Sequence, residues 1–419
     1  MTPPTALYLT WAIAALATAG VIVRPWRIAE AVWAVAGAGL LVALGLVPAR
    51  EALGAILHGQ DVYLFLIGMM LLAEIARREG LFDVAAAFAV NRSGGSPRRL
   101  LLLVYAVGVA VTVFLSNDAT AVVLTPAVYA AARKARTDPL PHLVACALVA
   151  NAASFVLPIS NPANLVLYGG RTPPLGAWLA SFALPSLVAV VATYLALRWA
   201  ERSRLDGLCE RDVPQPALGA GAVTALAGLG VTALVLLAAS AFNLPLGLPT
   251  AVMGVLTVAA VLLRERATPV PVLRDVSWSV LPLVAGLFVL VQALDRTGVV
   301  AVLAAELERA SRASAGLASV GAGALLALAC NLMNNLPAGM IASAAAARAH
   351  PPAGVVDGLL IGVDLGPNLS VTGSLATILW LTAIRREGGD VGFWRFLRTG
   401  AVVAPPALAL ALGARLLLH

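Results

Sequence analysis

Ser116-Asn117-Asp118, inside VTVFLSNDATAVVL, and Asn334-Asn335, inside ALACNLMNNLPAGM, are short polar insertions in stretches that are otherwise apolar. Amide and carboxyl side chains are costly in hydrocarbon unless they face a protected cavity, so such residues mark an intramembrane polar site. Two further clusters share this character: Asn151 with Ser160-Asn161-Pro162-Ala163-Asn164, and Asp364 with Thr372-Gly373-Ser374-Leu375-Ala376-Thr377. Together Ser116, Asn117, Asn151, Ser160, Asn161, Asn164, Asn334, Asn335, Thr372, Ser374 and Thr377 form a candidate cavity lining of donors and acceptors. Asp118 and Asp364 are the acids deepest in apolar sequence. A carboxyl out of water favours its neutral form, and one that titrates near neutrality can carry a proton. The chemistry expected is reversible binding of a small polar solute coupled to proton exchange.

These residues need a membrane scaffold. Of the 419 residues, 60% are apolar and only 12% charged, and the mean hydropathy is +0.92. A soluble chain carries about twice that charge. Apolar runs near 7–23, 28–47, 61–76, 175–197, 218–241, 246–263, 277–294 and 399–418 read as spans, and strand-like alternation is absent. The runs 99–132 and 313–347 carry the two polar insertions and read as re-entrant hairpins. Runs 139–170 and 353–384 are too long for one span and read as helices broken near 158–164 and 366–373, where proline removes backbone donors. The expected fold is an all-α polytopic membrane protein with two re-entrant hairpins and two broken helices.

Charge decides the topology. With ten crossings and two hairpins, 21 of the 28 Lys and Arg fall on the cytoplasmic side. Seven fall outside, namely Arg50, Arg171, Arg296, Arg309, Arg312, Arg348 and Arg415. That asymmetry obeys the positive-inside rule and favours hairpins over twelve simple spans. The net charge of +7 is scattered through short loops, which fits topology and gives no case for a nucleic-acid partner.

The chain also repeats itself. Gly68…Glu74…Arg78…Gly80 pairs with Gly286…Gln292…Arg296…Gly298, Asn117-Asp118 with Asn334-Asn335, and Asn151…Asn164 with Asp364…Thr377. Five crossings per half is odd, so the halves are expected to be inverted repeats, 1–200 and 217–419, joined by a cytoplasmic linker, 201–216. Inverted repeats with broken helices are the plan of secondary transporters, with the substrate near the midplane. Half-helix N-termini there suit polar or anionic groups, and exposed carbonyls suit cations.

Other polar residues are expected to play smaller parts. Glu74 and Asp61 read as packing or boundary groups. His58, His142, His350 and His419 read as interfacial. Cys146, Cys209 and Cys330 are too few and scattered for a disulfide framework or a zinc site. Cys146 and Cys330 lie near the expected cavity but suit small buried hydrophobes better than ligands. No metal or cofactor is expected. The N-terminal stretch MTPPTALYLTWAIAALATAG lacks a charged leader and reads as a first span.

At GVDLGPNLSVTGSLATILW (362–380), SNDATAVVLTP (116–126) and NNLPAGM (334–340) the chain resembles the ArsB-type arsenite/antimonite efflux permeases of the ion transporter superfamily. The resemblance covers essentially the whole length. It departs at Asn368, where many such permeases carry Lys. It implies a multi-pass inner-membrane carrier that exports arsenite or antimonite in exchange for protons, with Asp118 and Asp364 in the coupling. It also admits a cytosolic arsenite-stimulated ATPase and a homodimer as partners within the lipid bilayer. Arsenous acid is neutral near pH 7, and its three hydroxyls suit Asn, Ser and Thr side chains.

Other classes fit less well. A sodium/proton antiporter of the same superfamily could use the same acids and carbonyls for Na⁺. An anion symporter would meet repulsion from the acid at the hairpin tip. An enzyme is disfavoured because the chain holds no His-Glu-x-x-His or nucleophile-elbow motif. A channel does not need broken inverted repeats.

Overall fold

In lipid a backbone must satisfy its own hydrogen bonds, and the long apolar runs do so as helices. The computed structural model describes residues 3–418 other than Arg171. His419, read above as interfacial, and Arg171, assigned above to the outside, lie outside the described residues.

The first half comprises α1 (Pro3–Val23), α2 (Glu30–Ala43), α3 (Ala49–His58), α4 (Gln60–Arg78) and α5 (Leu81–Arg92), then a hairpin. The hairpin descends through α6 (Pro97–Phe114) and returns through α7 (Asn117–Ala119), a π-helical turn over Thr120–Leu124, and α8 (Thr125–Lys134). A broken helix follows as α9 (Leu140–Ala152) and α10 (Pro162–Leu167), and α11 (Leu175–Ala200) ends the half. The second half repeats the order. It runs α12 (Ala220–Ala241), α13 (Gly247–Glu265), α14 (Val270–Asp275), α15 (Val280–Arg296) and α16 (Val299–Ala313). Next come hairpin arms α17 (Ala315–Met333) and α18 (Asn335–Ala349), broken helix α19 (Ala353–Leu365) and α20 (Leu375–Arg386), and finally α21 (Phe393–Leu416). Among the described residues eight helices are long and apolar enough to cross a bilayer, and the pair α3–α4, bent by 49°, makes a ninth.

Packing partners come in matching pairs: α1 on α2 and α12 on α13; α2 on α15 and α13 on α4; α6 on α9 and α17 on α19. Helices α11 and α21, the last of each half, pack on each other. Gly80 (φ 71) and Gly298 (φ 86) open α5 and α16 in the left-handed region, where a side chain would be strained. Their place in the sequence repeat follows from that turn.

The linker decides between hairpin and single crossing for the segment 99–132. The Cys209 N–H donates to the Gly95 carbonyl (3.0 Å) and the Glu210 N–H to the Ala135 carbonyl (2.8 Å). Asn91 brackets Val213 through both of its main-chain groups. Residues 95 and 135, before and after the hairpin, therefore touch adjacent linker residues on one face. Arg98 pairs there with Asp206 and Arg136 with Glu210. The arms are longer than a tip at mid-bilayer requires: α6 has 18 residues, about 27 Å at 1.5 Å per residue, against roughly 15 Å for half the hydrocarbon core. They must run obliquely. Cysteines introduced by Arg98→Cys and Arg136→Cys are expected to react with a membrane-impermeant maleimide in everted vesicles, and neither in intact cells. Labelling of the two from opposite faces would restore the single crossing.

Candidate functional site

Each hairpin turns on a polar residue that caps the returning arm. Ser116 Oγ accepts the Ala119 N–H (3.2 Å). Asn334, at φ 75 and ψ 153, accepts the Leu336 N–H at Oδ1 (3.3 Å), and glycine adopts that backbone region far more readily. The broken helices restart in the same way. Asn161 accepts the Ala163 N–H (3.0 Å). Ser374 accepts the Thr377 N–H (3.1 Å), while Thr377 Oγ1 accepts the Ser374 N–H (3.2 Å). Such caps satisfy donors that a helix start leaves open. Carbonyls freed by the breaks are also taken up. Asn164 Nδ2 donates to the carbonyls of Ser154, Leu157 and Pro158, and Thr377 Oγ1 to that of Val371 (2.8 Å).

The four restarted helices meet. Asn117 and Asp118 of α7, Asn161 and Pro162 at α10, Asn335 and Leu336 of α18, and Leu375 and Ala376 of α20 surround a space of about 10 Å³ between Leu66 and Val280. That is room for about one water. A cavity of about 690 Å³ adjoins it, sharing Leu66, Asp118, Pro162 and Val280. Its walls also include Ser116, Glu74, Arg77, Asp275, Thr382 and Arg386, so it leads toward the arginine-rich face. A second cavity, of about 490 Å³, lies on the opposite side and is lined in part by Glu51, His58, Asp61 and Asp295. Among the described residues it shares no lining residue with the central space. Val123, Pro126, Ala127 and Ala130 line the first cavity and Met340, Ser343, Ala344 and Ala347, each 217 positions on (123 to 340, 130 to 347), line the second.

Comparison with known proteins gives this geometry its context. The CitMHS citrate transporter family matches residues 10–365. The chain belongs to this family. An uncharacterized transporter of Mycobacterium tuberculosis (strain H37Rv) is 26% identical over 420 residues, 96% of each chain. The arsenical pump membrane protein of Escherichia coli is 28% identical over 366 residues, 83% of this chain and 84% of that one. Among solved structures the Alcanivorax borkumensis YdaH transporter, described as having an unusual topology, shares the fold, with a TM-score of 0.54 and 18% identity over 88% of this chain and 86% of that one. This citrate transporter family member is thus a multi-pass membrane transporter similar to arsenical pumps, not an enzyme.

In this family member the residues singled out from sequence divide by position. Asn117, Asp118, Asn161 and Asn335 line the centre, and Ser116 lines the adjoining cavity. Asn334 shapes a tip as a cap. Asn151, Ser160, Asn164, Ser374 and Thr377 are buried and engaged in hydrogen bonds that hold the helix breaks. Thr372 stands outside the central ring, with its hydroxyl on the Asn331 carbonyl (3.0 Å). Asp364 is fully buried. Asn161 Nδ2 donates to its Oδ1 (2.7 Å), and its Oδ2 has no hydrogen-bond partner among the described residues.

Several partners escaped the sequence reading. Asn331 donates to the Ala327 and Gly366 carbonyls and accepts from Ser370 Oγ (2.6 Å), tying hairpin to broken helix. Its signal was an amide one turn before Asn335 in apolar sequence. Ser154 receives the second donation of the Asn161 amide (3.3 Å). Asn368, flagged only as a departure, donates to the Leu148 carbonyl (3.1 Å) and accepts from Asn151 (3.0 Å). Glu74 is more than a packing group, because it pairs with Arg77 in the cavity wall. Asp61 is a boundary group: it accepts the Gly247 N–H at the start of α13 (2.9 Å). His142 is fully enclosed, not interfacial, with Nδ1 against the Asp138 carbonyl (3.1 Å). Cys146 and Cys330 are fully buried and line none of the three spaces.

Proposed function

We propose that this chain exports trivalent metalloid hydroxides, arsenite and antimonite, in exchange for protons. The observation that carries the reading is the meeting of four capped helix starts, two from each half, around Asp118, at the end of a cavity facing the arginine-rich, cytoplasmic side. A neutral polyol-like solute would exchange its water for the Asn117, Asn161 and Asn335 amides and the Ser116 hydroxyl. The Cys-free lining favours release, since thiolates would hold trivalent arsenic tightly. The arsenical pump relatives support the substrate class.

Residues 1–200 and 217–419 act as inverted repeats, with 201–216 as the cytoplasmic linker. The exchanged packing partners and the corresponding linings of the two cavities support this. The present arrangement is inward-open, and opening the second cavity while closing the first would give the outward state. Protons taken by Asp118 and Asp364 bias that exchange. A cytosolic arsenite-stimulated ATPase and a second copy of the chain remain compatible partners.

An organic anion is the second reading. It is favoured by the helix starts converging on one point and by the family's description, and opposed by the carboxyl of Asp118 there. Everted vesicles with an inside-acid gradient separate these readings. Metalloid export predicts uptake of radiolabelled arsenite that a protonophore abolishes. Citrate uptake in its place would select the anion. Collapse of the gradient on sodium addition, with no arsenite uptake, would select a sodium/proton antiporter.

A further inference from the structure

The broken helices cross at two contacts that are copies of each other. In one, Asn161 Nδ2 donates to Asp364 Oδ1 (2.7 Å); in the other, Ser374 Oγ donates to Asn151 Oδ1 (3.2 Å). Position 151 corresponds to 364 and position 161 to 374, each 213 residues on, so the donors and acceptors exchange halves. Each donor is the N-cap of a restarted helix, α10 or α20, and each acceptor sits near the end of the preceding segment, α9 or α19. Both acceptors are buried, at 1% and 0% exposure. One is an acid and the other its amide.

We infer that Asn151 is the neutral counterpart of Asp364 and that the coupling acid of the crossing can stand at either position. This deepens the proton-coupled reading above and rests on it. The surroundings of Asn151 suit a protonated carboxyl. Ser374 already donates to Oδ1, and Asn151 Nδ2 donates to Asn368 Oδ1 (3.0 Å), a bond that a carboxylic O–H can make in its place. Asn368 is itself held by the Leu148 carbonyl (3.1 Å). At the other contact, Asp364 faces the Asn161 amide and, from α17, the thiol of Cys330. Among the described residues, the hydrogen-bond partners of the crossing residues include no Arg or Lys at either contact. Moving the acid therefore exchanges an amide-and-thiol setting for an amide-and-hydroxyl one, with no cation left behind.

The test compares Asp364→Asn with the double exchange Asn151→Asp/Asp364→Asn in proteoliposomes loaded to give a pH gradient. The readouts are arsenite accumulation and gradient-independent arsenite counterflow. A coupling free energy of ordinary size is worth roughly 5–150-fold, so Asp364→Asn is expected to lose accumulation by about that factor while keeping counterflow. The double exchange is expected to restore it. If Asp364→Asn accumulates normally, coupling at Asp364 is wrong and the reading above falls at that residue. If the single variant fails and the double exchange keeps counterflow without accumulation, the equivalence of the two positions is wrong. Should the double exchange not fold, Asn151→Asp alone decides the matter. Its added acid at the crossing should steepen the pH profile of accumulation beyond that of the parent, and a profile like that of the parent would overturn the inference.

Discussion

Asp118→Asn is expected to abolish gradient-driven arsenite accumulation while leaving arsenite counterflow intact. Among the described residues Asp118 is the one acid that lines both the central space and the cavity open to the arginine-rich face. Its backbone N–H is held by Asn117 Oδ1 (2.9 Å), and it is the second residue of the returning hairpin arm. Asn has nearly the same shape and keeps that geometry, so the tip should still form. It removes the ability to take and release a proton where solute and cytoplasm meet. The uncharged partners for a metalloid hydroxide, Ser116, Asn117, Asn161 and Asn335, stay in place, so exchange down a substrate gradient should persist. The loss should reach about tenfold or more if this carboxyl carries a coupling energy of usual size. Side-by-side accumulation and counterflow in proteoliposomes make the separation, with monodispersity in detergent as the folding control. Undiminished accumulation would remove Asp118 from the coupling. Loss of both activities would make it a binding group instead.

Hydropathy and polar punctuation made the large features of this fold legible. Amides and prolines inside apolar runs placed both hairpins and both broken helices, because such residues survive in lipid only where the helix stops or a cavity opens. Arg98 and Arg136 enter the charge balance, and both flank the segment where Gly95 and Ala135 meet residues 209 and 210. What a search for spans passes over is the helix too polar or too short to be one. Helices α3, α5, α14 and α16 fall outside the expected spans for that reason. Glu51 and Arg296 join α3 to the end of α15, a pairing across 245 positions that span-finding does not reach.

The candidate site was legible as a set of residues but not as a circuit. Asn161, Asn117 and Asn335 stand out by type and setting, and they do meet. Nothing in a linear pattern distinguishes Asn335, which lines the centre, from Thr372, which bonds to the back of the hairpin through the Asn331 carbonyl. That division depends on which side of each break a side chain faces. The partnership of Asn151 with Asn368 spans 217 positions and becomes visible only when the broken helices cross. The buried pair of Arg415 and Asp357, with Tyr168 on the second carboxylate oxygen (3.0 Å), was missed for the same reason.

Gly362→Leu is expected to prevent the second hairpin from docking and to remove most folded protein. Gly358, Gly362 and Gly366 recur every fourth residue along α19 and its continuation, facing Ser319, Gly323 and Ala327 at the same spacing on α17. Small residues at this interval let helices approach closely where no hydrophobic drive between them exists. A Cβ on Gly362 would lie 2.2 Å from the Gly323 carbonyl oxygen, and one on Gly366 2.4 Å from the Ala327 Cα. The obstacles are backbone, so no rotamer change relieves them, and the helices must part. Overpacking of this kind costs about 1–3 kcal/mol and more where the neighbour cannot yield. Separation would also pull Asn331 from the Gly366 carbonyl (2.9 Å), loosening the hairpin beside the central space. Gly321→Leu supplies the control, since Gly321 lies on the same α17 with nothing within 4 Å of its added Cβ. Fluorescence-detected size exclusion with a melting ramp should show a collapsed or strongly destabilised peak for Gly362→Leu and a near-parental one for Gly321→Leu. Equal behaviour of the two would mean that the close approach of α17 and α19 is not what holds this hairpin in place.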